Sequence, residues 1–274
     1  MIEFVNNSFV FYDKMKRIEI FELPNAPDPI ASLFHDARVF DSSCSPEARV
    51  YFIDKGEGLY LKTAAKGSLL REARMGEYFY KKGLGPSVLS YVTEDADWLL
   101  TARAEGEDAT HESTLSDPKR LAAVMGEVLR SLHEMRAQDC PVQDRMGEYL
   151  ALADKNFSEG KFDLSLFGDR IVFNSAEEAY RVLCEGRSLL RNEVLLHGDY
   201  CLPNIMLKDF KITSFIDVGN GGIGDRHVDL FWGAWTLWFN LKTDAYRDRF
   251  FDAYGRDLVD EERLRVIAAA EIFG

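Results

Sequence analysis

Two carboxylates and one amide stand in an order that suits phosphoryl transfer. Asp199 follows a short apolar run in the segment His197-Gly-Asp199-Tyr-Cys-Leu-Pro-Asn204, and Asn204 comes five residues after it. Asp217 ends a second apolar run, Phe215-Ile-Asp217, thirteen residues beyond Asn204. Phosphoryl transfer needs one carboxylate that orients the acceptor hydroxyl and receives its proton. It also needs a second carboxylate and an amide that hold Mg²⁺ against the nucleotide phosphates.

A structural explanation of these residues is available, because Asp and Asn at strand ends often only cap turns. With either segment alone, the catalytic explanation and the turn-capping explanation would have equal support. Here both segments occur in order, each after an apolar strand. Their spacing matches the kinase pattern, in which His-x-Asp is followed by an Asn five residues after the Asp and then by Asp-x-Gly. The combination favours catalysis over turn capping.

An upstream Lys and Glu complete the set of groups that kinase chemistry requires. Lys62 ends the predicted strand Leu59–Lys62, and Glu72 lies ten residues later in a helix predicted over Ser68–Lys82. A lone Lys or Glu is usually a surface charge, but the downstream segments call for this pair. We therefore predict a Lys62–Glu72 ion pair that aligns the α- and β-phosphates. No GxGxxG loop precedes Lys62, and Ser42-Ser-Cys-Ser45 stands in its place, either as a phosphate cradle or as an ordinary turn.

The pattern of secondary structure changes near residues 103–107. Before this point, β-rich runs separated by turns predict a sheet with one helix, and beyond it helical periodicity predominates. Asp117-Pro118 and the capping box at Ser175 each predict the start of a helix. We predict an α+β chain with domains at 1–103 and 104–274, in which residues 1–35 form an extension without an assigned role. The strands predicted in the first half are Phe9–Tyr12, Ile18–Leu23, Arg49–Ile53, Leu59–Lys62, Val88–Val92 and Trp98–Thr101.

The composition restricts the classes of partner. The chain has 274 residues and a net charge of −13, and 46% of it is hydrophobic, which is typical of a globular protein. It has no Lys/Arg-rich run, which argues against a nucleic-acid binder. The four cysteines are scattered, without the close spacing of a metal site. We expect no signal peptide, because the first residues lack a basic start followed by an apolar core. The longest apolar stretch, Leu230–Phe239, is shorter than the roughly 20 residues that cross a membrane. We expect a cytoplasmic protein with reduced thiols, no membrane contact, and acidic charge that suits solubility or a cationic ligand.

These segments resemble the aminoglycoside phosphotransferases, and most nearly the 3′-phosphotransferases that modify kanamycin and neomycin. The likeness runs from about residue 36 to the end, and His197–Met206 carries it most specifically. The resemblance implies a bilobal, protein-kinase-like fold, with a small N-terminal lobe of antiparallel sheet and one helix and a larger, mainly helical C-terminal lobe. The other similar segments are Leu59–Lys62, Arg71-Glu72, Asp139–Pro141, Phe215–Gly219, Asp225-Arg226, Asp229 and Glu271–Phe273.

The resemblance implies catalytic and metal-binding roles for the residues already singled out. Asp199 would be the catalytic base or the group that orients the acceptor hydroxyl. Asn204 and Asp217 would be the Mg²⁺ ligands, and Lys62 with Glu72 would position the triphosphate.

The resemblance also implies a nucleotide site in the first half of the chain. Ser45 would lie in the loop that covers the phosphates, and Tyr60 would pack on the adenine. The segment from Ala102 to Ala104 would be the interlobe hinge that bonds the base through its backbone. The nucleotide would be ATP, with GTP as a second possibility.

Substrate binding in the resembled family uses acidic side chains and the C-terminal tail. The candidates here are Asp163, Asp169 and Glu271, together with Phe273 near the terminus. Aminoglycosides carry several ammonium groups, which carboxylates bind through charge-assisted hydrogen bonds. Asp163 and Asp169 could equally be solvated surface charges.

Three features depart from the family pattern. Asn220 follows Gly219 where the family usually has Arg. The segment Leu230–Phe239 offers aromatics where acidic groups are expected, and its three tryptophans fit either a buried core helix or the apolar wall of a pocket for another acceptor. Gly274 extends the chain past Phe273.

The sequence thus predicts an Mg²⁺-dependent phosphotransferase that moves the γ-phosphoryl group of ATP to an aminoglycoside hydroxyl, at the 3′ position, and so confers resistance. The protein would be a monomer or a weak dimer. One alternative keeps the chemistry but changes the acceptor to a sugar, an amino alcohol or another metabolite. A second alternative is a nucleotide-binding pseudokinase, which the complete set of catalytic groups disfavours.

Overall fold

The structure is a computed structural model that describes residues 17–21, 25–34, 36–44, 47–168, 170–171 and 173–274. The chain divides into two compact units, and the boundary between them falls after Ala104. The strand predicted at Phe9–Tyr12 lies outside the described residues, as do Ser45 and Asp169.

The first unit is built on an antiparallel sheet. Its strands are Ile18–Ile20 (β1), Arg38–Asp41 (β2), Ala48–Asp54 (β3), Leu59–Ala65 (β4), Val88–Thr93 (β5) and Ala96–Ala102 (β6). Within the described residues, six strands are bonded in the order β1-β2-β3-β4-β6-β5. The four strands predicted between residues 49 and 101 are confirmed, and β3 and β4 form the predicted hairpin.

A one-turn helix covers one face of this sheet. Side chains alternate between the two faces of a strand, so Leu61 of β4 points to the same face as Ile53 of its partner β3. Both pack against Ile30 of helix α1 (Asp28–Ala31). The sequence predicts a sheet with one helix for this half of the chain, and the structure adds this one-turn helix. Pro29 is compatible with it, because Pro in the first turn of a helix loses no hydrogen bond.

The second helix of the unit, α2, covers the opposite face. It spans Leu70–Lys81, within two residues of the predicted bounds at each end, and the chain leaves it through Gly83 at φ +72°. Ala73 of α2 packs on Leu99 of β6, which lies directly across from Lys62. Lys62 therefore stands on the face of the sheet that carries α2, which is where the predicted ion pair needs it.

The second unit is mainly helical. Its helices are Glu112–Leu115 (α3), Pro118–His133 (α4), Arg145–Ser158 (α5), Ala176–Gly186 (α6), His227–Leu241 (α7), Arg247–Tyr254 (α8) and Glu261–Glu271 (α9). Its strands are Glu107–Asp108 (β7), Val194–Leu196 (β8), Ile205–Lys208 (β9), Lys211–Phe215 (β10) and Gly222–Gly224 (β11). They form two small antiparallel sheets, β10-β9-β7 and β11-β8.

The predicted helix starts are confirmed by their caps. The Asp117 carboxylate accepts from the Arg120 backbone N–H at the start of α4, and the Ser175 side chain accepts from the Glu178 N–H at the start of α6. These caps satisfy backbone donors that would otherwise lack partners in the first helical turn. Within the part of the chain that the structure describes, no helix is long and apolar enough to cross a bilayer.

Candidate active site

Lys62 and Glu72 form the predicted ion pair inside the first unit. The Lys62 ammonium donates to both oxygens of the Glu72 carboxylate, at 2.9 Å and 2.8 Å. The two side chains are 23% and 16% exposed, so water still reaches the pair. Such a pair holds the ammonium in one position where an anionic ligand can approach it.

Tyr60 lies on the same face of β4 as Lys62, two residues away. Its ring packs against Phe52 at 5.3 Å, and its hydroxyl accepts a hydrogen bond from Arg17 at 2.7 Å. The Arg17 guanidinium also stacks over Phe52 at 3.8 Å. Tyr60 therefore presents a partly buried aromatic surface beside Lys62, with its hydroxyl fixed by Arg17.

The Ser-rich turn lies between β2 and β3, as the sequence predicts. Ser43 uses its hydroxyl to accept from the Val50 N–H at 2.9 Å, which ties the turn to the hairpin. The Ser42 side chain is buried. Ser45, which the sequence analysis places in a phosphate-covering loop, lies outside the described residues.

The predicted hinge begins inside the sheet. The Ala102 N–H donates to the Ser87 carbonyl at 3.0 Å, so this donor is already used within the first unit. Strand β6 extends one residue past the predicted strand end at Thr101. Ala104 is buried at the end of the unit. The predicted backbone contact of the segment from Ala102 to Ala104 with the base stays a prediction.

The loop that carries Asp199 begins where strand β8 ends. Gly198 adopts φ +86°, and a Cβ atom at this position would lie 2.0 Å from the Asn220 carbonyl oxygen. Only glycine fits this turn, both for its backbone angle and for this close approach. The Asp199 N–H then donates to Nδ1 of His197 at 3.2 Å. Local contacts within this turn therefore fix the position of Asp199.

Asn204 holds the Asp199 carboxylate. Its Nδ2 donates to Oδ2 of Asp199 at 2.8 Å and to the Asp199 carbonyl at 3.0 Å, which turns the Asn204 side-chain oxygen away from Asp199. Burial raises the pKa of Asp199 above its usual value, and the nearby Asp217 carboxylate adds to the rise. A carboxylate with a raised pKa is a better proton acceptor for an alcohol than an ordinary one.

The β9–β10 hairpin places Asp217 close along the chain to the segment that pairs with Asn204. Phe215 pairs with Ile205, and just beyond them the Ile216 N–H donates to the Asn204 carbonyl at 3.0 Å. Asp217 follows at φ +55°, a left-handed conformation that Asp tolerates better than most residues, and its side chain is exposed. The hairpin thus joins the two predicted metal ligands.

The donor set at this place suits Mg²⁺. An exposed carboxylate from Asp217 and an amide oxygen from Asn204 are hard oxygen ligands, and Mg²⁺ usually takes one or two protein ligands together with phosphate oxygens and water. The described residues contain no cluster of three or more His, Cys, Asp or Glu side chains that could hold a metal ion. A small oxygen set of this kind fits an ion that arrives with a nucleotide.

Asp229 anchors the loop that carries Asp199, a function that the sequence analysis did not assign. This carboxylate is fully buried and accepts from the N–H groups of His197 and Gly198, both at 2.8 Å. Oδ2 also contacts Nε2 of His133 at 3.1 Å. The signal in the sequence was a lone carboxylate in the first turn of the apolar helix α7.

Glu271 accepts two side-chain hydrogen bonds. Its Oε1 accepts from the Tyr149 hydroxyl at 2.7 Å and from the Trp232 indole at 2.9 Å. Burial raises the pKa of Glu271 to about 7, and the charge of Asp199 adds to this rise, while Arg145 opposes it. Glu271 is therefore a carboxyl group near Asp199 that gains or loses its proton close to neutral pH.

The other predicted substrate residues have different outcomes. Oδ1 of Asp163 accepts from both the N–H and the hydroxyl of Ser165, at 2.8 Å and 2.6 Å, which closes a turn. Phe273 is fully buried and packs on Phe157 and Tyr180. Its ring belongs to the core, which corrects the prediction of a substrate contact. Asp169 lies outside the described residues.

The tryptophan-rich helix is buried over only part of its length. Trp232 is buried, as expected for a core helix, but Trp235 and Trp238 are only partly buried. The alternative, an apolar pocket wall for another acceptor, stays a prediction. The helix runs from core to surface along its length, which apolar composition alone does not reveal.

Arg145 supports the loop in which Asn220 replaces the usual Arg. Its side chain is buried, and its Nε donates to the Asn220 carbonyl at 2.8 Å. The same guanidinium stands near Glu271 and lowers the pKa of that carboxyl. A cation from helix α5 thus lies at the base of the loop that carries Asp217.

The Lys62–Glu72 pair and the Asp199, Asn204 and Asp217 set are the groups that kinase-type phosphotransferases use. The comparisons with known proteins agree. A model of the phosphotransferase enzyme family matches residues 39–267, and the chain belongs to this family.

The chain is also similar to individual members of this family. It is 48% identical over 262 residues to a probable aminoglycoside 3′-phosphotransferase of Lactococcus lactis subsp. lactis (strain IL1403), a match that covers 95% of this chain and 98% of that one. It is 31% identical over 222 residues to the aminoglycoside 3′-phosphotransferase of Streptomyces fradiae, with 75% and 82% covered.

Solved structures confirm the predicted α+β, protein-kinase-like fold. A crystal structure of an aminoglycoside-3′-phosphotransferase of type VIII matches with a TM-score of 0.69 and 26% identity, over 82% of this chain and 88% of that one. An aminoglycoside phosphotransferase from Streptomyces rimosus, solved with ADP and streptomycin, matches with a TM-score of 0.66 and 22% identity, over 81% and 90%. At that identity the second match supports the fold alone.

Proposed function

We propose that this protein transfers the γ-phosphoryl group of ATP to the 3′-hydroxyl of an aminoglycoside, with Mg²⁺, and so confers resistance. The observation that carries the proposal is the Asp199 carboxylate, which Asn204 orients at 2.8 Å in the loop that Asp229 anchors. The relatives named aminoglycoside 3′-phosphotransferase support the acceptor and the position of transfer.

In the proposed reaction, Asp199 accepts a hydrogen bond from the 3′-hydroxyl and aims its oxygen at the γ-phosphorus. The new O–P bond forms as the bond from the γ-phosphorus to the leaving oxygen of ADP breaks, and the hydroxyl proton passes to the carboxylate. Proton acceptance of this kind contributes about 10²- to 10⁴-fold to the rate. Because the transition state is loose, the orientation that Asn204 imposes on Asp199 contributes as well.

Two further groups handle the phosphate charge. Lys62, held by Glu72, binds the α- and β-phosphates, as the kinase pattern requires. Asn204 and Asp217 would hold Mg²⁺, which when bound neutralises charge on the phosphate oxygens. Tyr60 offers an aromatic surface for the adenine, and the backbone at Ala104 offers a contact for its edge. The same groups would also accept GTP.

The acidic charge of the chain suits the acceptor. A net charge of −13 attracts a polycation at long range, and near Asp199 the Glu271 carboxylate can bind an ammonium group. Asp163 is a second candidate at the turn 163–168, and Asp169 remains a prediction. The free thiols of the four cysteines suit the cytoplasm, where ATP is available. We propose that the protein is a monomer or a weak dimer there.

The test is phosphoryl transfer from Mg-ATP to kanamycin and neomycin by the purified protein, with the position of the phosphate assigned by NMR. We expect transfer at the 3′ position, and Asp199→Asn should lower kcat by about 10²- to 10⁴-fold while ATP still binds. The conservative Asp257→Asn, on the exposed face of the second unit, is the matched control and should retain full activity.

The two alternatives predict different results in the same assay. If kanamycin and neomycin neither accept phosphate nor bind, the proposal fails, and Asn220 and the aromatic end of α7 would favour a sugar or amino alcohol as acceptor. If no acceptor turns over but ATP binds, the protein is a pseudokinase. Turnover that survives Asp199→Asn would contradict the assigned role of this carboxylate.

A further inference from the structure

Helix α2 starts at a residue that cannot cap it. Leu69 holds the N-cap position, and its apolar side chain offers no hydrogen-bond acceptor. The hydroxyl of the preceding Ser68 donates to the Ala65 carbonyl at 2.6 Å instead of serving the helix. Backbone N–H groups at a helix start need acceptors, and these come from elsewhere when local side chains do not supply them. Glu72 lies in this first turn, three residues after Leu69, so its position depends on what holds the helix start.

Asp97 of strand β6 supplies an acceptor at this helix start. Its carboxylate is fully buried, and its Oδ2 accepts from the Leu69 N–H at 2.9 Å. Burial raises the pKa of Asp97, but nearby donors of Gly67, Thr93 and Tyr91 outweigh burial and lower this pKa overall. Oδ1 completes no hydrogen bond within the described residues, so the bond from the Leu69 N–H is the contact that fixes the carboxylate. A strand 28 residues away along the chain thus caps the helix.

Strand β6 fixes both members of the Lys62–Glu72 pair. The register of β4 against β6 sets Lys62 directly across from Leu99. Asp97 lies two residues before Leu99, so its side chain points to the same face of the sheet, which is the face that α2 covers. From this face Asp97 holds the start of the helix whose first turn contains Glu72. One strand therefore sets where the ammonium and the carboxylate of the pair meet.

We propose that Asp97 is a positioning residue for the Lys62–Glu72 pair, because it caps α2 from across the sheet and so holds Glu72 against the Lys62 ammonium. This inference rests on the proposed function, in which Lys62 binds the α- and β-phosphates. Asp97 itself touches no reacting atom and acts through Glu72. Without the cap, the first turn of α2 opens, Glu72 leaves its bonding position, and the ammonium is no longer held in one place for the nucleotide.

The first experiment measures the Kd of Mg-ATP, the ATP KM and the kanamycin KM in Asp97→Ala and Asp97→Asn. We expect Asp97→Ala to raise the Kd and the KM for ATP about tenfold while the kanamycin KM stays within about twofold, since the lost preorganisation concerns the nucleotide alone. Asp97→Asn should restore part of the loss, because its side-chain oxygen can still accept from the Leu69 N–H.

The matched control is Ile30→Ala. Ile30 is buried against the opposite face of the same sheet, so this variant also destabilises the first unit, but it leaves the start of α2 intact. We expect its Kd for Mg-ATP to stay within about twofold of the wild type when both are measured well below their melting temperatures. If Asp97→Ala fails to fold, as judged by melting, Asp97→Ser takes its place in both experiments.

The second experiment separates positioning from a merely structural role. It combines Asp97→Ala with Lys62→Met in a double-mutant cycle and measures the Kd of Mg-ATP in all four proteins. If Asp97 acts through the ion pair, Asp97→Ala should no longer weaken ATP binding once Lys62 is absent, because Glu72 then has no ammonium to hold. A structural role predicts the same fold-loss with and without Lys62.

The adverse results can be told apart. If the wild type binds Mg-ATP and phosphorylates kanamycin but Asp97→Ala binds ATP as tightly, the positioning role is overturned and the proposed function stands. Equal losses from Asp97→Ala in both backgrounds of the cycle also overturn it. If the wild type neither binds Mg-ATP nor phosphorylates an aminoglycoside, the proposed function fails and this inference fails with it.

Discussion

The two units hold their functional charges in different ways. In the first unit, Lys62 is paired directly with an opposite charge, Glu72, and water reaches both side chains. In the second unit, the carboxylates of Asp199, Glu271 and Asp229 are held mainly by neutral donors, which are backbone N–H groups, an amide, a phenol and an indole. An ion pair balances the charge of both partners, whereas neutral donors orient a carboxylate without balancing its charge. The first arrangement suits phosphate binding, and the second suits proton transfer and ammonium binding.

The largest effect that follows from this comparison concerns stability in the second unit. We expect Asp229→Ala to lower the free energy of unfolding by about 3–5 kcal/mol, because it leaves two buried backbone N–H groups and His133 without their acceptor. Urea denaturation of the free protein measures this loss. Asp252→Ala is the control, since its exposed pair with Arg256 should be worth less than about 1 kcal/mol. Equal losses in the two variants would remove the distinction between buried and exposed anchoring.

The ion pair of the first unit should behave in the opposite way, with a large effect on activity and a small one on stability. We expect Lys62→Met to lower kcat/KM for ATP by about 10²- to 10³-fold, which is typical for the loss of one donor to the developing phosphate charge. The free energy of unfolding should change by less than about 1 kcal/mol, because water can solvate Glu72 once Lys62 is gone. Lys81→Met removes a surface cation from helix α2, which carries Glu72, and should affect neither quantity. A stability loss comparable to that of Asp229→Ala would show that the pair is structural.

The smallest expected effect is a dependence on pH at Glu271. Its pKa is about 7 in the folded protein against an ordinary 4.5, so the protonated form is the one that folding favours. The stability that this form contributes is fully present below about pH 4.5 and is lost as the pH rises through about 7. Glu271→Gln keeps an acceptor for Tyr149 and Trp232 but carries no charge. We therefore expect it to match the wild type below pH 4.5 and to be about 1–3 kcal/mol more stable at pH 8.

The control for this effect is Glu262→Gln, on the exposed first turn of the same helix. Denaturation at several pH values measures both variants. In activity assays the acceptor KM of the wild type should rise as the pH falls below 7, because protonated Glu271 no longer attracts an ammonium group. A flat stability difference for Glu271→Gln would mean that Glu271 titrates as an ordinary surface carboxyl.

Sequence reasoning succeeded where the determining contacts are local. Lys62 and Glu72 are ten residues apart on a strand and the next helix, and alternation along β4 is enough to face them toward each other. The spacing of Asp199 and Asn204 within one loop likewise sufficed to predict that they lie together. These features depend on periodicity and turn chemistry, which a single sequence contains.

Sequence reasoning failed where contacts span long separations. The bond from Tyr149 to Glu271 joins residues 122 apart, and the bond from His197 to Asp229 joins residues 32 apart. Neither hydrogen bond can be predicted from the spacing of residues in the sequence. Phe273 was misassigned for the same reason, since its burial depends on helices α5 and α6, which contribute Phe157 and Tyr180.

The contact between Gly198 and Asn220 has a mechanical consequence. Because the Asn220 carbonyl lies where a Cβ of residue 198 would be, the loop that carries Asp199 and the loop that carries Asp217 touch through their backbones. Arg145 clamps the same carbonyl from the other side. A substitution that shifts the backbone of one loop should therefore displace the other loop through this contact, with no flexible side chain between them.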